Sequence, residues 1–156
     1  MKLTAFTDYS LRVLIYLATQ PDRRATIAEI ASSFGVSEHH LTKVVHFLGK
    51  QGWLANVRGK GGGLSLAKVP DAIDIGDVVR HTEAGTIVEC FGEGGGECRI
   101  AGVCCLRGVL DEAVAAFHAV LHRYTLADLV RNREALSAVL FVDGAPARHH
   151  PARERK

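Results

Sequence analysis

Thr26-Ile-Ala-Glu-Ile-Ala-Ser-Ser-Phe-Gly35-Val-Ser37-Glu-His-His-Leu-Thr-Lys-Val-Val-His-Phe-Leu-Gly-Lys50 contains two helices and the turn between them. Thr26 and Glu29 form a capping-box signature, in which hydroxyl and carboxylate each satisfy a backbone N–H that the first helical turn leaves unpaired. Ile27, Ile30, Ala31 and Phe34 then recur at helical spacing. Gly35 stands where a helix ends in the left-handed conformation. Ser37 offers a new N-cap within two residues, and from about Glu38 to Lys50 the apolar residues Leu41, Val44, Val45 and Leu48 share one side. Two helices joined by a short glycine-containing turn make a helix-turn-helix.

The flanking segments complete a winged version of that unit. Upstream, Asp8 to Thr19 carries Leu11, Leu14, Ile15 and Ala18 at helical spacing and stops at Pro21-Asp22, so a first helix is expected there. Downstream, Trp53-Leu-Ala-Asn-Val-Arg58 and Leu64-Ser-Leu-Ala67 read as two short strands around Gly59-Lys60-Gly61-Gly62-Gly63, a hairpin wing. Pro70 to Asp74 is a turn and Ile75 to Glu83 a brief helix. Residues 84–104 are Gly- and Cys-rich and read as a loop. A long helix opens at Cys105, with Leu106, Leu110, Ala113, Phe117, Val120 and Tyr124 spaced as an a/d heptad seam that wants a partner helix. Thr125 caps a last helix through Leu126, Leu129, Val130 and Leu136. The fold class is therefore mainly α: a winged helix-turn-helix domain over 1–83, a cysteine loop over 84–104, a dimerisation helix and C-terminal helix over 105–141, and a disordered basic tail over 142–156.

Bulk properties bound the function. The chain has 156 residues, 47% hydrophobic and 23% charged, enough for one ordinary domain with an appendage but not for a large multidomain enzyme. No apolar run approaches the roughly 18 residues of a membrane span, and the N-terminus lacks a signal-peptide pattern, so a cytoplasmic protein is expected. The net charge of +2 is too small to argue for nucleic acid by itself. The placement of the basic residues carries that argument. At about 100° per residue, His39, Lys43, His46 and Lys50 form a polar ridge opposite the apolar stripe. Recognition helices meet base edges with their N-terminal residues, which selects His39, His40, Thr42 and Lys43 for bases and leaves Lys50 for phosphate. Such a ridge is also the solvent face of any surface helix; the neighbouring wing separates the two readings. Arg58 and Lys60 stand on a hairpin whose tip, at Gly61 and Gly62, lacks side-chain bulk, so the backbone can approach a phosphate or a minor groove. A nucleotide phosphate loop does not fit, because the glycines run into a strand.

Four cysteines, Cys90, Cys98, Cys104 and Cys105, cluster with gaps of seven, five and no residues. In a reducing compartment such thiols are ligands or redox groups more often than disulfides. Structural zinc sites are built on close C-x2-C knuckles, absent here, and the wider loop suits an iron–sulfur cluster better. Adjacent cysteines rarely both hold one centre, which suggests three thiolate ligands and a spare, with the fourth ligand elsewhere. Free thiols, a thiol switch or zinc are the alternatives. His118 and His122 lie i, i+4 and read as partly exposed helix residues, with metal binding as the alternative. No nucleophile–base constellation indicates an enzyme.

Leu3-Thr-Ala-Phe-Thr-Asp8-Tyr9, Val57-Arg-Gly-Lys-Gly-Gly-Gly63, Ile75-Gly-Asp-Val-Val79, Cys98-Arg-Ile-Ala-Gly-Val-Cys104 and Tyr124-Thr-Leu-Ala-Asp-Leu129 together resemble the winged-helix iron–sulfur regulators that include IscR and the nitric-oxide-sensing NsrR-type repressors. The likeness spans about residues 1 to 140. It implies a homodimer, joined through the Leu106–Tyr124 helix, that binds palindromic double-stranded operator DNA and represses nitric oxide detoxification genes until nitric oxide attacks its cluster. The cluster implied is 4Fe-4S, with 2Fe-2S as the alternative. Carried onto this chain, the ligands are Cys90, Cys98, Cys104 and Asp8 of the first helix, donated to the other subunit, with Arg12 one turn on to hold the carboxylate. Without the resemblance, Asp8 reads as an acid in the first helical position. The seven-residue gap after Cys90 is longer than the family's usual one, and Cys105 is additional, so Cys105 is an alternative ligand. Arg107 stands where IscR-type proteins have a histidine, which favours the nitric oxide reader over sensing of iron, redox state or cluster supply.

Overall fold

The computed structural model describes residues 3–59, 61–83, 100 and 103–141. The chain runs through α1 (Ala5–Thr19), α2 (Ile27–Phe34), α3 (Glu38–Lys50), a hairpin of β1 (Leu54–Val57) and β2 (Gly63–Leu66), a 3-10 turn at Pro70–Ala72, α4 (Ile75–Thr82), α5 (Leu106–Leu121), α6 (Leu126–Leu129) and α7 (Arg133–Leu140). The two strands are antiparallel, Leu54 opposite Leu66 and Val57 opposite Gly63. This is a mainly helical winged-helix fold, as the sequence pattern indicates.

Helix α1 begins a turn earlier than its apolar spacing suggests, because Thr4 caps it: the Thr7 N–H donates to the Thr4 hydroxyl at 3.2 Å. Asp8 is accordingly the fourth residue of the helix and not its first. Its burial is also broader than one stripe. Val13, Tyr16 and Leu17 are buried as well as Leu14 and Ala18, since α1 lies in the middle of the domain, against α3, α4, α6 and β2. Ile30, Leu41, Val44, Leu48, Ile73, Val78, Val79 and Leu126 close the core around it. Helix α2 opens on the complete capping box and ends on Gly35 at φ 61°, whose N–H reaches the Ala31 and Ser32 carbonyls. Ser37 occupies the N-cap of α3 without a side-chain hydrogen bond.

The second half departs from the sequence reading in two places. The C-terminal helix is broken at Val130-Arg131-Asn132 into α6 and α7. Val130 turns into the core, and β-branched and Asn residues stabilise a helix weakly. Helix α5 ends at Leu121, before Tyr124, and has no buried residue. Its apolar residues form two stripes. Phe117 and Leu121 pack on the chain's own core, whereas Leu106, Val109, Ala113, Ala116 and Val120 are exposed. Phe117 therefore belongs to the intramolecular face and not to a free seam; 3.5-residue spacing alone does not say which stripe the domain itself covers.

Loops tie α5 to the winged domain. Ile75 N–H donates to the Tyr124 carbonyl at 3.0 Å and Leu126 N–H to that of Ile73 at 2.8 Å. His122 Nδ1 lies 2.7 Å from Asp74 Oδ1, and Arg80 meets its Nε2. Gly76 makes room for that ring, since a Cβ there would lie 2.5 Å from His122 Nδ1. Among the described residues no helix is long and apolar enough to cross a membrane.

Candidate nucleic-acid interface and cluster site

Helix α3 presents His39, His40, Thr42, Lys43, His46 and Lys50 to solvent while Leu41, Val44, Val45 and Leu48 are buried beneath them. Helix α1 fixes its orientation: Phe6 meets Phe47 edge-on at 5.3 Å between ring centroids, and Tyr9 stacks on His40 at 6.4 Å. The Thr42 hydroxyl donates to the Glu38 carbonyl at 2.8 Å. Its proton is thus committed within the helix, leaving a methyl and acceptor lone pairs outward.

On the wing, Arg58 and Gly61 are exposed and Gly62 is half-buried; Lys60 lies outside the described residues. The tip needs glycine on steric grounds. Gly59 and Gly61 have φ of 93° and 77°, and a Cβ on Gly62 would lie 2.3 Å from the Val57 carbonyl oxygen. The wing is also tethered. Arg24 Nη1 donates to the Gly61 carbonyl at 2.8 Å, and Ala25 and Leu64 exchange backbone hydrogen bonds of 3.0 and 2.7 Å. Arg24 escaped the sequence reading, because its only signal is a basic pair after Pro21-Asp22.

Asp8 sits on α1 with Arg12 beside it, Nε to Oδ1 at 3.1 Å and Nη2 to Oδ2 at 2.8 Å. The pair is two-pronged, which sets the plane of the carboxylate. The Arg12 guanidinium also lies 5.7 Å from the Phe34 ring centroid. Even so, the Asp8 side chain is 46% exposed and can be reached from outside the chain. Glu83, which sequence reading left out, grips the start of the same helix. Its Oε1 accepts from the Thr4 N–H at 2.7 Å, the Thr4 hydroxyl at 3.0 Å and the Thr7 hydroxyl at 2.5 Å. Burial pushes its pKa up, but these donors outweigh that and hold the carboxyl below its ordinary value.

Cys104 is half-buried and Cys105 exposed, and neither is in a disulfide. Cys105 is the N-cap of α5 and makes no capping hydrogen bond there. Cys90 and Cys98 lie outside the described residues, so Cys104, Asp8 and Arg12 are the parts of the expected site that the structure places. The residue types fit an iron–sulfur cluster chemically, soft thiolates with one carboxylate, and Cys104 lies just before the start of α5, an end that favours negative charge. A different group, Asp74, Asp77 and His122, brings its ligand atoms within 4.8 Å of one another. Asp74 there caps α4, accepting the Asp77 N–H at 2.9 Å, and Arg80 occupies the other side of the His122 ring, so the cluster is explained by the α4–α5 joint.

Residues 3–132 match the family model described as Rrf2, iron-dependent transcriptional regulator. The HTH-type transcriptional regulators NsrR of Bacillus subtilis and Geobacillus kaustophilus are each 49% identical over 142 residues, covering 90% of this chain and 97% of theirs. That of Halalkalibacterium halodurans is 46% identical over the same span. Among solved structures, IscR of T. potens superposes with a TM-score of 0.70 at 25% identity, covering 87% of this chain and 90% of its own. CymR, the global cysteine regulator of B. subtilis, gives 0.67 at 28%, covering 85% and 98%. These relatives are regulators and not enzymes. With the helix-turn-helix, the tethered wing and matching sequence over nearly its whole length, the chain belongs to the Rrf2 family of transcriptional regulators.

Proposed function

We propose that this regulator of the NsrR/IscR type is a cytoplasmic homodimeric repressor that holds an iron–sulfur cluster, 4Fe-4S in preference to 2Fe-2S, and releases a palindromic operator when nitric oxide reaches that cluster. The observation that carries the reading is the Asp8–Arg12 pair: a carboxylate oriented by two hydrogen bonds yet half exposed, on the helix that supports the recognition helix. Cys90, Cys98 and Cys104 are the proposed thiolate ligands, and Asp8 of the partner subunit the fourth. Cys105, exposed beside Cys104, is the spare and the alternative ligand. Bound there, the cluster would supply the iron that nitric oxide attacks.

The protein's own residues then carry the signal. Arg12 holds the Asp8 carboxylate in one orientation, and a carboxylate is a more displaceable donor than a thiolate. Helix α1 bears on α3 through Phe6–Phe47 and Tyr9–His40. Freeing Asp8 unties α1, and the reading head packed on it, from the partner subunit, and with that tie goes the fixed separation between the two recognition helices, which half-sites about one helical turn apart demand. A coupling of about 1–3 kcal/mol changes affinity by roughly 5–150-fold. His39, His40, Thr42 and Lys43 read bases, while Lys50, Arg58, Lys60 and the Gly61-Gly62 backbone meet the phosphates. The exposed α5 stripe Leu106, Val109, Ala113, Ala116 and Val120 is the proposed dimer contact. The divisions proposed for the chain remain residues 1–83, 84–104, 105–141 and 142–156.

The test is anaerobic purification followed by iron and sulfide analysis, then titration with nitric oxide, peroxide and oxygen while absorption and operator binding are followed. Iron and sulfide in the protein, with loss of cluster absorption and of DNA binding on nitric oxide, is the expected result. Zinc alone, or no metal, overturns the cluster. A response to peroxide or oxygen but not to nitric oxide overturns the signal.

A further inference from the structure

We infer that Thr42 is a specificity residue that recognises thymine in the operator through its methyl group; this rests on the reading of α3 as the helix that meets base edges. Thr42 is the fifth residue of α3 and is exposed. Its hydroxyl donates to the Glu38 carbonyl at 2.8 Å, one turn back along the same helix. A hydroxyl has a single proton, so Thr42 has none to offer the acceptors N7 and O6 of guanine or O4 of thymine. Redirecting that proton to a base would give up a bond already made, and the exchange gains little.

The same bond fixes the other branch of the side chain. Threonine is stiff at its first side-chain torsion, and holding the oxygen at the Glu38 carbonyl selects one rotamer and with it one position for the methyl group. The methyl is therefore preorganised before DNA arrives, with little rotamer freedom left to lose on binding. The residues around it lack this chemistry. His39 stands three residues before, Lys43 and His46 one and four after, and all three are exposed side chains that carry N–H donors. Among the exposed residues of α3, Thr42 alone bears a methyl group. Of the groups that base pairs present in the major groove, the C5 methyl of thymine is the apolar one. Methyl thus meets methyl, and the histidines and Lys43 are left to the polar edges beside it.

Deoxyuridine removes that methyl from the DNA and leaves the hydrogen-bonding edge of the base in place. Full-length protein, purified anaerobically, selects its preferred duplex from a pool of random sequence, and the thymines of one half-site are then replaced by deoxyuridine one at a time. Fluorescence anisotropy at fixed salt reads the affinities. Wild type is expected to lose about fourfold at one of these thymines, the size of one methyl group returned to water. Thr42→Ser, which keeps the hydroxyl, should bind the thymine duplex about fourfold more weakly than wild type and not distinguish thymine from deoxyuridine at that pair. Thr42→Val, which keeps a methyl and the shape, should retain the preference. A wild type indifferent to deoxyuridine at every pair overturns the assignment, as does a preference as strong in Thr42→Ser as in wild type. Full affinity in Thr42→Ser with loss in Thr42→Val would give the reading to the hydroxyl and overturn it too. Failure of wild type to enrich any sequence overturns the base-reading role of α3 and the assignment with it.

Discussion

Helices α1 and α5 are nearly equal in length, 15 and 16 residues, and both are rich in apolar side chains, yet eight residues of α1 are buried and none of α5. Helix α1 completes its packing inside the chain, surrounded by the recognition helix, the wing and the C-terminal helices. Helix α5 covers itself on one side only, through Phe117 and Leu121, and leaves Leu106 and Val109 about 60% exposed. A helix that is apolar on two sides but buried on one leaves an exposed apolar patch, the kind of surface on which a partner can pack. The winged domain thus packs within the chain, whereas α5 leaves an apolar stripe uncovered, the stripe proposed as the dimer contact.

Deletions of similar chemistry in the two helices should separate these roles. Leu14, fully buried at the centre of α1, is expected to cost about 2–5 kcal/mol of folding stability on replacement by Ala, read from thermal or urea unfolding followed by circular dichroism. Operator binding would be lost with the fold. Val109→Ala in the dissociated chain should cost far less. An equal loss at both sites would show that α5 is buried in a way the single chain does not reveal. Introducing charge into the free stripe, with Leu106→Glu and Val109→Glu together, should leave the winged domain folded but shift sedimentation from dimer to monomer. Since two half-sites then no longer act together, operator affinity falls by roughly 100-fold. A double variant that stays dimeric removes the stripe as the interface.

How much of this was legible follows the same division between local and distant causes. The Thr26–Glu29 box, the Gly35 stop and the α3 stripe lie within a few residues of one another, and the fold matches them closely. The exposure of His39, His40, Lys43 and Lys50, the proposed DNA contacts, follows from that helix alone. The Arg12–Asp8 pair was readable too, because i, i+4 on a helix is a local relation. What escaped is what depends on distant partners. Glu83 meets Thr7 across 76 residues, His122 meets Asp74 across 48, and Arg24 reaches Gly61 across 37. Periodicity carries no information about such pairs. It also cannot say which of two apolar stripes on α5 its own domain will cover, and so Phe117 was given to the wrong face.

The wing offers an intermediate case, a local hairpin held by a distant side chain. Gly62→Ala would drive a Cβ against the Val57 carbonyl, and the strain of relieving it, about 1–3 kcal/mol, should weaken operator binding by about tenfold. Melting of the core should barely move. Arg24→Ala removes one hydrogen bond to the Gly61 carbonyl, of order 1 kcal/mol, and should weaken binding by about fivefold or less. Fluorescence anisotropy with operator DNA at fixed salt measures both. Full affinity in Gly62→Ala would mean that the wing tip does not meet DNA.

The smallest contrast lies at the two helix starts. Helix α2 is closed by its own side chains: the Glu29 N–H donates to the Thr26 hydroxyl at 3.2 Å and the Thr26 N–H to the Glu29 carboxylate at 2.6 Å. Helix α5 has no capping hydrogen bond at Cys105. Thr26→Ala should therefore cost about 1 kcal/mol, and Cys105→Ala should stay within about 0.5 kcal/mol. Acid sharpens the distinction. The Thr26 N–H, with the Thr26 hydroxyl and Arg23 adding to it against burial, holds the Glu29 carboxyl below its ordinary range. A depressed folded-state pKa means that the unfolded chain binds more protons in this range. The contribution is therefore complete above the ordinary Glu value and is lost as pH falls through the depressed one. In urea titrations below about pH 5, wild type should lose stability more steeply than Glu29→Gln, while Cys105→Ala should track wild type. Parallel acid limbs in wild type and Glu29→Gln would place the closure of α2 elsewhere. A start that is closed by its own side chains loses that closure when either partner is changed or protonated, whereas the start of α5, where the Cys105 side chain makes no cap bond, has no such contribution to lose.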